Sequence, residues 1–161
     1  MSLETLLAWL EATPIATTIA ENENLFPWIE SLHVLALTLV VGSILIVDLR
    51  LIGLASRDRD AQQLMDEVLP VTWGAFFLAA MTGLSLFSAK ATTYGHNALF
   101  LTKLALLALA GLNMALFHLF INRTPLGMGT PRLAARFAGV LSLALWVGVV
   151  TCGRWVGFTL R

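Results

Sequence analysis

The sequence predicts an all-α integral membrane protein, a four-helix up-and-down bundle preceded by a short amphipathic helix lying in the interface. Three observations carry that prediction. Of 161 residues, 58% are apolar and only 12% are charged, about half the charge of an ordinary soluble domain. The ten Lys and Arg balance the ten Asp and Glu, and a soluble surface so poor in charge would associate. The apolar residues fall into four stretches, each longer than the ~20 residues that cross a bilayer core as a helix. These features exclude a soluble enzyme, a disordered chain and a nucleic-acid binder with a basic footprint.

Residues 1–24 form an N-terminal interfacial segment. Ser2–Leu3–Glu4–Thr5 opens like a capping box, and Leu3, Leu6, Leu7 and Leu10 share one helical face with Trp9 at its edge. Pro14 is expected to end this helix. No cleaved leader is expected, because the start lacks a basic region and Glu4 and Glu11 break its apolar patch. Residues 25–161 form the transmembrane domain, with spans at about 26–54, 69–89, 98–121 and 133–160. Helix is the only option for such spans. In lipid every backbone polar group must be paired within its segment or within a closed barrel, and the alternation of barrel strands is absent. Between the spans lie a polar link at Ser56–Asp66, with Pro70 near the start of the second span, and a small loop at Ala91–Asn97. A third link, Asn122–Arg132, is rich in Pro and Gly. Short links make consecutive helices antiparallel neighbours.

Arg50, Arg57, Arg59, Arg123, Arg132 and Arg136 flank one side of the spans, against Lys90, Lys103, Arg154 and Arg161 on the other. That bias predicts both termini outside. The single cysteine, Cys152, excludes an internal disulfide and any multi-cysteine metal centre.

Ionisable groups within a span are functional candidates by default. At 1.5 Å per residue, His33 lies ~9 Å below the outer surface, Glu30 ~5 Å, Met81 ~12 Å, Lys103 ~9 Å, Arg154 ~6 Å and Cys152 ~9 Å. Groups from four helices thus fall in one layer. Glu30 and His33 are three residues apart and share a face, so the carboxylate could fix the imidazole tautomer. Lys103 and Arg154 could snorkel, or pair with Glu30 or haem propionates, and Arg154 is expected to point inward. At the opposite end Asp48, with His118 or a nearby arginine, reads as a structural pair. His33 and His118 are over ~20 Å apart in depth and cannot share one iron. His96 reaches the level of His33 only if its loop dips inward. The glycines at 42, 74, 83, 111, 153 and 157 suit close helix packing, and those at 42, 74, 83 and 111 could equally admit a flat cofactor.

The runs Glu30–Ser31–Leu32–His33–Val34–Leu35 and Val41–Gly42–Ser43–Ile44–Leu45–Ile46–Val47–Asp48–Leu49–Arg50, the stretch 103–116 and Gly153–Arg154–Trp155 resemble a family of small four-helix bacterial membrane proteins without an established function. The layout is more distantly similar to copper-resistance protein D and to b-type cytochrome bundles. That wider likeness implies haem b or copper.

The expected function is therefore haem b binding with electron transfer between the quinone pool and an outer acceptor. His33 would ligate the iron, with Met81 or His96 opposite, and Lys103 and Arg154 would hold the propionates. The alternatives are copper handling through His33, Met81 and Cys152, whose soft ligands suit Cu(I), and an assembly subunit without cofactor. The expected partners are the lipid bilayer, a quinone or redox partner, and a second copy in a homo-oligomer, with nucleic acid excluded.

Overall fold

Long apolar runs free of internal breakers become long helices, and the computed structural model shows four of them. It describes residues 2–56, 58–121 and 133–159, and these contain no strand. Helices α1 (Leu3–Glu11) and α2 (Pro14–Glu21) form an N-terminal pair. They are followed by α3 (Leu25–Ile52), α4 (Ala61–Ala89), the short α5 (Ala91–Gly95), α6 (Ala98–Leu116) with a π turn at Phe117–Ile121, and α7 (Leu133–Thr159). Helices α3, α4, α6 with its extension and α7 are each long and apolar enough to cross a membrane. Their outward faces carry large apolar side chains such as Leu35, Leu39, Ile46, Phe77, Leu84 and Val147, far more exposed apolar surface than a soluble monomer presents.

The N-terminal segment departs from the expected single helix. Ser2 does cap α1, its hydroxyl accepting from the Thr5 amide at 3.3 Å. Pro14, however, starts a second helix instead of merely ending the first. It occupies the first turn of α2, where a missing N–H costs nothing and the fixed φ is already helical. The helix that carries the second apolar stretch begins before it, at Ala61. Asp60 caps it by accepting from the Gln62 amide at 2.9 Å, and the polar stretch that reads as a link is helical from Ala61. Gln62–Asp66 and Gln63–Glu67 pairs, both at 3.2 Å, run along it, and Pro70 sits inside the helix. The third link, 122–132, lies outside the described residues, as do Arg57 and Arg161.

Packing follows the order α4–α3–α7–α6: α3 lies against both α4 and α7, and α7 against α6. Helices α4 and α6 have no Cα atoms within 8 Å of one another. Near α5, Phe87 and Phe100 stack at 5.3 Å and Tyr94 lies 5.3 Å from Phe100. Asn97 caps α6 and its amide donates to the Thr159 hydroxyl at 2.9 Å, tying α7 to this end. At the far end Gly53 takes φ 85° to close α3, a left-handed conformation suited to glycine. The Ile52 carbonyl there accepts from Arg136 at 3.0 Å, and buried Arg50 donates to the Arg59 carbonyl at 2.9 Å. Helices α3 and α7 approach most closely at Gly139. A Cβ there would stand 3.1 Å from the Asp48 carbonyl oxygen and from Leu51 Cβ. The glycines at 42, 74, 111 and 157 have open space at that position instead.

Candidate functional site

In the layer near α5, the His33 ring lies against Gly83, where an added Cβ would meet His33 Cε1 at 3.0 Å. At Gly83 the helices are closely packed, as small residues allow. His33 Nδ1 stands 3.0 Å from Thr82 Oγ1. The Thr82 hydroxyl is 2.7 Å from the Leu78 carbonyl, which can only accept. Its one proton therefore goes there, and the oxygen accepts from His33 Nδ1–H. The Ala79 backbone also bonds the ring. Lys103 lies within electrostatic reach of His33 and of Cys152, and its ammonium would be 3.5 Å from a Cβ at Gly153. Lys103 thus lies near both His33 and Cys152.

Their expected companions are elsewhere. Met81 is 51% exposed on the outer face of α4, one residue and so about 100° away from Thr82. Glu30 is also exposed, so the role expected of it in orienting His33 falls to Thr82. Arg154 points outward. Its guanidinium lies 5.0 Å from the centre of the Phe158 ring, with no carboxylate within 4 Å among the described residues. A guanidinium near a helix end reaches the interface readily, and there an aromatic face is an adequate neighbour. His96 does not turn in toward His33. Its Nδ1 donates to the Thr92 carbonyl at 2.7 Å, and its Nε2 faces Glu4 at 2.8 Å. The Thr92 carbonyl first, then Glu4, hold the His96 imidazolium above the usual histidine range. Glu11 binds the same short helix, accepting from the Thr92 amide at 2.8 Å and its hydroxyl at 2.7 Å. Tyr94 beside it is pushed up by burial and then by the charge of Glu30. Among the described residues no three His, Cys, Asp or Glu side chains are grouped to hold a metal.

The opposite end holds a feature that sequence reasoning missed. A cavity of about 210 Å³ lies between α4 and α6, where these helices diverge. Its floor and far wall come from α3 and α7, including Val40, Asp48, Ser142 and Trp146. Trp73, Phe76 and Met114 line it and are also exposed on the outside, so the cavity is a crevice open to the outside. Asp48 is 4% exposed, and its Oδ2 has no hydrogen-bond partner. The Ser142 hydroxyl stands against the same carboxyl. Among the described residues Asp48 forms no ion pair with His118 or an arginine. His118 bonds the Met114 carbonyl at 2.9 Å and also lines the crevice.

A family model for a family of unknown function, DUF6644, matches residues 18–159. The chain belongs to this family. Within DUF6644 the matched stretch includes both the His33 layer and the crevice, while α1 precedes it. No curated protein and no solved structure matches, so the wider likeness to copper-resistance protein D and b-type cytochromes finds no support.

Proposed function

We propose that this member of DUF6644 is a multi-pass protein of the bacterial inner membrane that takes a quinone-type amphiphile from the bilayer into the crevice between α4 and α6. In this reading the four long helices span the bilayer as an up-and-down bundle. Both termini face outward, in keeping with the arginine bias at the α3–α4 end. The observation that carries the reading is the crevice itself: an apolar, aromatic-lined slot with one buried carboxyl at its floor and a side open to lipid. Binding sites for small molecules have this composition, mostly apolar walls with a few convergent polar groups. A cavity of about 150 Å³ holds a benzene ring, so about 210 Å³ accommodates a substituted ring whose apolar tail leaves between the diverging helices.

The test is calorimetric titration of detergent-purified protein with a short-tailed benzoquinone and with its reduced quinol. Saturable binding of at least one form is expected, lost in Gly111→Leu, which builds a side chain into open space on the crevice wall. Heats that do not saturate for either form would overturn the reading.

A second reading, haem b on His33 with electron transfer between the quinone pool and an outer acceptor, is favoured by one observation. His33 Nδ1 lies 3.0 Å from the Thr82 hydroxyl, the kind of orienting contact that a ligating histidine uses. Neither Met81 nor His96 is placed to supply a second ligand, so His33 would be the sole protein ligand and Lys103 the cation for a propionate. A Soret band after expression with ample haem, lost in His33→Ala, is the expected result. Its absence removes haem. For copper, the outward position of Met81 leaves His33 and Cys152 without the third soft ligand.

A further inference from the structure

Charge separates ligands at this crevice where hydrogen bonding does not. The Ser142 hydroxyl, the Asn113 amide and the indole N–H groups of Trp73 and Trp146 can donate there, and oxygens of the same side chains can accept. A neutral ring finds partners whichever groups it bears. Formal charge is one-sided. Asp48 and His118 are the only ionisable side chains among the described residues that line the crevice. Asp48 is 4% exposed, with Oδ2 unpartnered, and His118 bonds the Met114 carbonyl. Helix α4 brings Thr72 to the wall but no charge, and α7 brings Ser142. Of the arginines at this end, Arg50 donates to the Arg59 carbonyl and Arg136 to the Ile52 carbonyl, and neither lines the crevice. Around the acid stand Trp73 and Phe76 from α4, Phe117 after α6 and Trp146 from α7. Aromatic faces attract cations, tryptophan most strongly, and such rings are the usual wall for a quaternary ammonium.

We infer that the crevice also takes a lipophilic organic cation, a quaternary or protonated tertiary ammonium on an apolar tail, with Asp48 as its counter-ion. The inference uses the crevice of the proposed function but not the identity of the amphiphile proposed there. A carboxylate removed from water is stabilised by a partner of opposite charge, and the lining supplies none to Asp48. One hydroxyl dipole, from Ser142, does not neutralise a charge. The attraction is to the carboxylate form, so where the free carboxyl holds a proton, binding of the cation releases it to solvent.

The experiment measures affinities of the full chain in an uncharged detergent at about pH 8, above the ordinary carboxyl range. The probes are 4-decyl-N,N,N-trimethylanilinium and its neutral isostere 1-decyl-4-tert-butylbenzene, which differ only by a carbon in place of the cationic nitrogen. The cation is expected to bind at least ~10-fold tighter, as a desolvated cation–π contact and a buried counter-ion together provide. Asp48→Asn should erase that preference and leave the isostere's affinity unchanged. Gly111→Leu, which fills the crevice wall without altering charge, should abolish binding of both. The isostere comparison needs no variant, so it stands whether or not Asp48→Asn folds. Equal affinities, tighter binding of the isostere, a preference that survives Asp48→Asn, or cation binding that survives Gly111→Leu would overturn the inference. Saturable quinone binding beside any of these results leaves the proposed function intact. Saturable cation binding without quinone binding would sustain the inference and remove the quinone reading.

Discussion

Near α5, Glu11 occupies both donors of Thr92, Glu4 and the Thr92 carbonyl engage both nitrogens of His96, and Thr82 holds His33 against Gly83. At the other end of the same helices Asp48 is more deeply buried than any of these side chains, yet one of its oxygens has no partner. A buried polar group without a partner costs roughly 1–3 kcal/mol. One region therefore uses its polar groups to hold helices together, and the other retains an unsatisfied group beside open space. Unsatisfied, cavity-lining groups mark where a protein trades stability for an interaction with something else. The histidines drew attention to the first region in the sequence. The second region has the better claim to a ligand.

The comparison can be broken most forcefully at Gly139. If the crevice is built, the helices behind it must be tightly fixed. Gly139→Ala places a Cβ 3.1 Å from the Asp48 carbonyl oxygen and from Leu51 Cβ, atoms that cannot move without α3 or α7 moving. We expect a loss of about 1–3 kcal/mol, seen as a clearly lower thermal midpoint in detergent, with ligand affinity falling too. An unchanged midpoint would mean that α3 and α7 are not closely packed there.

Gly83→Ala is milder, because the atom it meets is the edge of an imidazole that can turn. About 1 kcal/mol of destabilisation is expected, and Thr82→Val should cost a similar amount by leaving His33 Nδ1–H without its acceptor. Thermal unfolding of the two single variants and the double variant would show strong non-additivity if the His33–Thr82 contact is shared. Asp48→Asn tests the other region with the opposite sign. Without ligand it should be neutral or stabilising by up to ~1 kcal/mol, whereas a residue serving only to hold the fold would destabilise when changed.

The smallest effect concerns pH. His96 is held above its ordinary range, so its contact with Glu4 is complete below the unfolded histidine value near ~6.5 and is lost as pH rises through the raised folded value. Amide exchange in α1 should accelerate on that alkaline side. Glu4→Gln should remove most of the pH dependence without altering ligand binding in the crevice. The pair is fully solvent-facing, so global stability should hardly change.

The four long apolar helices were legible because hydropathy over twenty residues needs no tertiary information. The ends were not. Pro14 stops one helix and starts another with the same fixed φ, and the polar residues 61–67 are as compatible with a solvated helix as with a link. The depth of His33, Lys103 and Cys152 was also legible, since rise per residue is constant. Azimuth was not. Met81 and Thr82 differ by one residue in depth but about 100° around the helix, and the chemically attractive neighbour is the one facing outward. Asp48 was visible as a buried acid, but its lack of a partner depends on how far α4 and α6 diverge.

The most direct test of the crevice is photo-crosslinking in proteoliposomes with a short-tailed azido-quinol, followed by peptide mapping. Competable labelling confined to residues 65–76 of α4 and 107–118 of α6 is the predicted result. Competable labelling around His33, or labelling that unmodified quinol does not compete, would contradict the account.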